Sequence, residues 1–400
     1  MAKKNMYFPQ EEYEARWKKL HDAMRAKGYE IALVWGKTAG TYERSMETAY
    51  LTNFYSTHSG QEPDSHVWNA RSFCAAIMEP GKSPELHTDE ADPQMDRLPV
   101  DNYHSHLDPI QGIADALKKR KIKGKVAFVG SDILPVKYAE QLRKATPGIE
   151  YVYENDLVRD VRLIKSPREL DMFREAGAMV TVALTKLIEA MIMGKSEAEA
   201  AALGGAELLR RGGGWHRIAI SHGDKSAYPE SDPLYGFSQA APKTGDICHA
   251  FIYGPIWQGY WLDPGRTFVC GRKPTAEGKK LIEDCVLVMD AIEEKVRPGA
   301  KHRDVSRHAR KIHDEVKTEE CFYDTSWPYF GHSNGCLWEK PFLLTDPDKV
   351  PEEWVFQEGM VASSEAFLTR TGIGTASYET NWIVTKDGIE KITPLPMIWW

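Results

Sequence analysis

Long apolar runs, a basic excess and paired cysteine spacings are all missing from this sequence. No stretch approaches ~18 consecutive apolar residues, which argues against an α-helical membrane span. Lysine and arginine (51) are outnumbered by aspartate and glutamate (58), giving a net charge of -7 and no basic footprint for nucleic acid. The six cysteines, Cys74, Cys248, Cys270, Cys285, Cys321 and Cys336, show no CxxC spacing. Neither a zinc knuckle nor a disulfide framework is therefore indicated. The opening MAKKNMYFPQEEYEARW lacks the apolar core of a signal peptide, and a reducing cytoplasm is the expected location. What is present is ordinary for a globular protein: 42% hydrophobic and 27% charged residues. At 400 residues the chain is long enough for two domains. The 12 tryptophans and 17 tyrosines are many, and some are expected at a pocket or a subunit interface.

Two styles of patterning divide the chain. Residues 9–28 predict an amphipathic helix, with Tyr13, Trp17, Leu20 and Met24 on one face. YEIALVWG, AYLTNF, SFCAAIM and KVAFVG read as strands, and GIADALKKRK and PVKYAEQLRKA as helices. Strands alternating with helices predict an α/β N-terminal domain over 1–160. The boundary falls near 155–165, where Ser166, Pro167 and Glu169 form an S-x-x-E helix start. From 161 to 400, long helical segments (167–192, 196–211, 275–296, 302–317) interleave with strand-like runs. That mixture predicts an α+β domain, a curved antiparallel sheet with helices outside. The terminal TPLPMIWW is expected to dock on something, another subunit being one candidate.

Four metal-ligand types are spread through the second half: Asp263 in GYWLDPGRTF, His332 in GHSNG, Glu365 in GMVASSEAF and Glu379 in SYETNWIVT. Three carboxylates and an imidazole suit a hard or borderline divalent ion. Strand positions fix the face to which such side chains point. Glu365 and Glu379 lie on two successive strands joined by TRTGIGTASY, as in a hairpin.

These phrases resemble those of the creatinase, aminopeptidase P and prolidase superfamily, whose fold is called pita-bread. GYWLDPGRTF is similar to GYxSDxTRTF, GHSNG to the GHS-x-G of creatinases, and GMVASSEAF to GMVxSxEP. YETNWIVTKDG is similar to the final E-D-x-x-x-V-T-x-x-G, and RLIKSPRELDMFREAG to the opening helix of the catalytic domain. The resemblance covers nearly the whole chain. It implies one divalent ion held by Asp263, His332, Glu365 and Glu379, with Glu365 as general base. A homodimer is also implied, with the partner's N-terminal domain capping the pocket of each subunit. The loop STHSGQEPDSHVWNAR, with His58, Glu62, His66, Trp68 and Arg71, is the candidate cap.

The departures narrow the reading. A fifth family ligand, an aspartate, falls at Ile252 or Phe251, and neither side chain binds metal; His249 is a candidate substitute. The family's two substrate-handling histidines are replaced, one by Tyr228 and one by the WEKP phrase with Trp338 and Glu339; His222 lies six residues before the first of these positions. Tyr228 or His222 would polarise the scissile group, and Arg370 could pair a substrate carboxylate. The leading expectation is a hydrolase that cuts a C–N bond in a small polar amide, amidine or cyclic compound. The alternatives are a lyase acting by β-elimination, as in dimethylsulfoniopropionate cleavage, an X-Pro dipeptidase, and a non-catalytic binding protein. A metal-free acidic pocket for a cationic substrate, with His332 as acid–base residue, is the other mechanistic route.

Overall fold

The structure is a computed structural model that describes residues 6–37, 46–55, 64–231, 236–320 and 322–400. His58, Glu62 and Cys321 lie outside the described residues. The chain divides into two compact units, Met1–Leu163 and Ile164–Trp400.

The first unit runs α1 (Gln10–Lys27), β1 (Tyr29–Lys37), α2 (Met46–Thr52), β2 (Phe73–Met78), β3 (Glu85–Thr88), β4 (Asn102–Ser105), α3 (Pro109–Lys119), β5 (Lys125–Val129), α4 (Val136–Ala145), β6 (Glu150–Tyr153) and α5 (Asp156–Val161). Its six strands form one mixed sheet in the order β4-β3-β2-β1-β5-β6. β1 is paired antiparallel to β2 and parallel to β5, so the hydrophobic run IALVW is buried on both faces. Ile31, Leu33, Trp35, Phe128, Ile113 and Leu117 sit in the core beneath α3 and α4. AYLTNF, expected as a strand, instead belongs largely to α2. The run is too short for periodicity to separate a buried strand from a buried helical turn.

The second unit opens on α6 (Pro167–Ile192) and α7 (Glu197–Arg210). The capping box at the start of α6 forms: Ser166 Oγ accepts from the Glu169 amide, and the Glu169 carboxylate accepts from the Ser166 amide at 2.9 Å. There follow β7 (Arg217–His222), β8 (Ile247–Trp257), β9 (Tyr260–Leu262), β10 (Gly265–Val269), α8 (Ala276–Glu293), α9 (His302–Val316) and α10 (Phe322–Ser326). The chain ends with β11 (Tyr329–Asn334), β12 (Trp338–Leu344), β13 (Val361–Arg370), β14 (Gly374–Val384) and β15 (Ile389–Lys391). The main sheet runs β12-β11-β13-β14-β10-β8-β7, with β15 beside β14 and β9 beside β8. Its pairings are all antiparallel. GYWLDPGRTFVCG is split at Asp263–Pro264, because proline cannot donate to the ladder. Among the described residues no helix is long and apolar enough to cross a membrane.

The C-terminal tail packs on its own unit. Trp399 is buried and donates from Nε1 to the Pro396 carbonyl at 3.0 Å. Arg266 is fully buried, and its guanidinium donates to the carbonyls of Gly265, Glu379, Thr393, Leu395 and Pro396. One side chain therefore ties β10, β14 and the tail together.

Gly177 on α6 marks the tightest approach to this tail. A Cβ there would lie 2.1 Å from the Ile392 carbonyl oxygen. Alanine is the better helix former by about 1 kcal/mol, but the clash is with backbone and cannot be relieved by a rotamer change. Gly177→Ala is expected to lower unfolding stability by about 1–3 kcal/mol in urea titration; a gain in stability would refute this packing.

Candidate metal centre

Sheet register builds the site. Glu365 on β13 lies directly opposite Glu379 on β14, and Glu379 lies opposite Gly265 on β10. Gly265 in turn faces Phe251 on β8. Directly opposed residues share a face, so Phe251, Gly265, Glu379 and Glu365 form one row across four strands. Asp263, just before β10, and His332, on β11, close on the same point. Gly331 makes the last approach possible: its φ is 146°, and a Cβ there would lie 2.0 Å from the Ser363 carbonyl oxygen.

His332 Nε2 lies 3.4 Å from Asp263 Oδ2, 3.3 Å from Glu379 Oε1 and 3.9 Å from Glu365 Oε1. Ligand atoms of Asp263, His332 and Glu379 all fall within 4.8 Å of one another. All four residues are buried. Asp263 is oriented by three donors: Trp261 Nε1 to Oδ2 at 2.8 Å, and Asn381 Nδ2 and Asn334 Nδ2 to Oδ1 at 2.7 and 3.2 Å. Glu365 Oε2 accepts from Trp327 Nε1 at 2.6 Å. Among the described residues, neither Glu365 Oε1 nor Glu379 Oε1 accepts a hydrogen bond.

Like charges directly across an antiparallel pair destabilise a sheet. Two unit charges ~4 Å apart near a protein surface repel by about 4 kcal/mol, and burial strengthens this. Burial, then the charge of Glu379, pushes the Glu365 carboxyl well above its usual range. Burial, then Asp263, does the same to Glu379. Such a cluster is stable only with added positive charge, as protons or a cation. Two orphaned carboxylate oxygens beside an imidazole nitrogen and an oriented carboxylate fit a divalent ion, with oxygen-rich, borderline chemistry.

The remaining candidate residues are placed as follows. Of the two positions where the resemblance puts a fifth ligand, Phe251 shares the row of Glu379 and Glu365, whereas Ile252 alternates to the other face. The Phe251 ring fills the space over Gly265, where a Cβ would sit 2.0 Å from the ring. His249 is buried one row away with Nε2 3.3 Å from the Pro229 carbonyl oxygen, and burial lowers its pKa to about 4. Trp338 stands beside His332 with ring centroids 5.8 Å apart, and Glu339 is buried opposite Ser333. Tyr228 is exposed and packs edge-on against Phe322.

Two candidates of this unit have partners elsewhere in it. His222 Nδ1 is bound to Glu197 Oε1 on α7 at 2.6 Å. Arg370 pairs with Asp284 of α8. It is an odd number of residues from Glu365, so strand alternation sends it to the helix-covered face. Arg71, in the first unit, pairs with Asp89 at 3.1 Å and stacks on Trp68. Trp261, Asn334 and Asn381 were missed by sequence reading. Each lies two positions from a ligand (Asp263, His332 and Glu379), and period two is the signal that could have found them.

The raised carboxyls give a pH signature in metal-free protein. Unfolded, Glu365 and Glu379 ionise at ordinary values near ~4.3; folded, they hold protons to higher pH. Their contribution is therefore fully present below the unfolded pKa and is lost as pH rises through the folded values. Thermal unfolding of chelator-stripped wild type against Glu379→Gln should show the wild type losing stability relative to the variant as pH rises through that window. Added divalent ion should remove the slope. A relative gain with rising pH would overturn the electrostatic account.

The profile of metallopeptidase family M24 matches residues 171–386, more than half of the chain. A putative dipeptidase, YkvY, from Bacillus subtilis is 29% identical over 368 residues, covering 90% of this chain and 94% of that protein. A Xaa-Pro dipeptidase from Pyrococcus horikoshii is 26% identical over 321 residues, covering 79% and 86%. Among solved structures, the prolidase from Pyrococcus horikoshii superposes with a TM-score of 0.75 at 21% identity, covering 95% of this chain and 98% of that one. Dipeptidase PepE from Mycobacterium ulcerans gives 0.76 at 20% identity, covering 98% of both. The two units are thus the α/β N-terminal domain and pita-bread domain of that architecture, and the chain belongs to metallopeptidase family M24, among the peptidase-like hydrolases of C–N bonds.

Proposed function

We propose that the protein is a metal-dependent dipeptidase that cleaves a short peptide bearing an apolar side chain, with one divalent ion held by Asp263, His332, Glu365 and Glu379. The observation that carries this is the buried convergence of three carboxylates on His332 Nε2 with two carboxylate oxygens left without hydrogen bonds. The relatives named as dipeptidases and Xaa-Pro dipeptidases support the peptide as substrate class. They lend nothing to the β-elimination reading. One ion, rather than two, follows from Phe251 in the fifth position.

When bound, a divalent ion would acidify water and polarise the scissile carbonyl. The chain's own residues supply the rest. Trp327 holds Glu365 Oε2, so Oε1 is the atom that takes a proton from the attacking water and returns it to the departing nitrogen. Tyr228 is the candidate donor to the developing oxyanion. The half-buried aromatics Trp327, Tyr329, Trp338 and Phe342 contact one another at centroid distances of 5.0–6.3 Å beside Glu365 and His332. This wall would seat an apolar side chain or proline ring and exclude water from the reacting bond.

By elemental analysis, protein purified without chelators should hold about one ion per chain more than His332→Ala, and a dipeptide panel including X-Pro should reveal hydrolysis. Glu365→Gln should lower kcat by roughly 10²–10⁴-fold. Full activity after chelation, or in Glu365→Gln, would overturn the proposal. Trp338→Ala should raise KM for apolar dipeptides by about tenfold with a smaller change in kcat, the loss of ~1.4 kcal/mol of apolar contact. Unchanged KM would remove the aromatic wall from the binding role.

A further inference from the structure

The first unit carries a second cluster of ligand-type side chains, on the face of its sheet edge. β4 is the edge strand and pairs parallel to β3, with Glu85 opposite Asn102 and His87 opposite His104. Alternation places Glu85 and His87 on one face of β3, and His104 on the same face of β4. His106, two residues beyond His104, joins them. The rings of His87 and His104 stack with centroids 4.8 Å apart, and those of His87 and His106 at 5.1 Å. We propose that Glu85, His87 and His104 form a second divalent-metal site, separate from the candidate catalytic centre, for a borderline ion such as zinc.

The ligand atoms are already close: His87 Nε2 and His104 Nε2 lie 2.7 and 3.5 Å from Glu85 Oε1, and the three residues offer atoms within 4.8 Å of one another. Each inner partner is also held from behind, the usual construction of a metal ligand. His87 Nδ1 lies 2.9 Å from His106 Nε2. In one tautomer His87 Nε2–H donates to Glu85 Oε1 at 2.7 Å; with the proton moved to Nδ1 and donated to His106, Nε2 and Oε1 become free ligand atoms, and a cation would replace that hydrogen bond. Glu85 Oε2 accepts from Arg120, which leaves Oε1 for the imidazoles. His106 occupies a niche shaped by Gly112 of α3, where a Cβ would sit 2.4 Å from the imidazole. His104 is half-exposed, which leaves an open side for entry of the ion and for water ligands. Two nitrogens, one oxygen and water match the ligand preference of zinc. The charge of Arg120 opposes a cation here and limits affinity, although Glu79, 3.6 Å from Arg120 Nε, offsets part of it. A bound ion would clip the short edge strand β4 to β3.

The test is equilibrium dialysis of the chelator-stripped full-length protein against micromolar free zinc, with bound zinc counted per chain by elemental analysis. Wild type should hold one more ion than His104→Ala and one more than Glu85→Gln. His104→Ala is the safer variant, since its side chain is half-exposed, and unchanged far-UV circular dichroism should verify its fold. Equal zinc content in wild type and both variants would overturn the site and leave a hydrogen-bonded histidine cluster. The count at the catalytic centre stays constant through this comparison, so the outcome is independent of the proposed peptidase activity.

Discussion

Three carboxylates held out of water around one imidazole are the constraint on which the second unit depends. Their mutual repulsion opposes folding, and the surrounding sheet is arranged to hold them in place against it. Antiparallel register sets Glu365 against Glu379, Gly331 lets β11 close on β13, and Trp261, Asn334 and Asn381 fix both oxygens of Asp263. These neutral donors orient the carboxylate without adding charge to the cluster. The stored repulsion becomes attraction when a divalent ion arrives. The electrostatic cost in the free protein and the affinity for metal thus have one source.

Behind this centre, Arg266 performs the complementary task. A guanidinium buried without a carboxylate partner is expensive unless its donors are satisfied. Here five backbone carbonyls accept from it. One of them belongs to Glu379, so the strand carrying a ligand is braced through its backbone by a buried cation. Burial lowers the Arg266 pKa to about 10, which still leaves it charged at neutral pH. The tail is consequently part of the catalytic unit's framework.

Much of this was legible in the sequence because the informative residues sit in strands or at helix starts. Asp263, His332, Glu365 and Glu379 could be picked out from their local phrases, and Ser166 and Glu169 announced α6 through a local capping rule. Failures came where tertiary context decides. AYLTNF has the composition of a strand but is too short for its period to be read, and α2 forms there. Arg370 lies five residues beyond Glu365 and could pair a substrate carboxylate by sequence position, yet one step of strand alternation sends it to Asp284. His222 likewise lies near the expected position along the chain, but its partner Glu197 comes from α7. The terminal tryptophans were rightly expected to dock, and Trp399 does so within its own unit, as Arg266 holds the preceding carbonyls. Trp261, Asn334 and Asn381 went unnoticed because their role is to orient another side chain, which leaves no mark on local propensity.

The pairing of Phe251 with Gly265 has an evolutionary consequence. Each residue is permitted by the other: the ring lies where a Cβ on position 265 would be, and the missing Cβ leaves room that only a large side chain fills. Changing Phe251 to a small acid alone would open a void above a bare backbone, and voids of that size cost several kcal/mol. Restoring a side chain at 265 alone would collide with the ring. The two positions are therefore epistatic, and single substitutions in either direction pass through a less stable intermediate. A carboxylate at position 251 is therefore hard to reach by single substitutions, on grounds of packing alone.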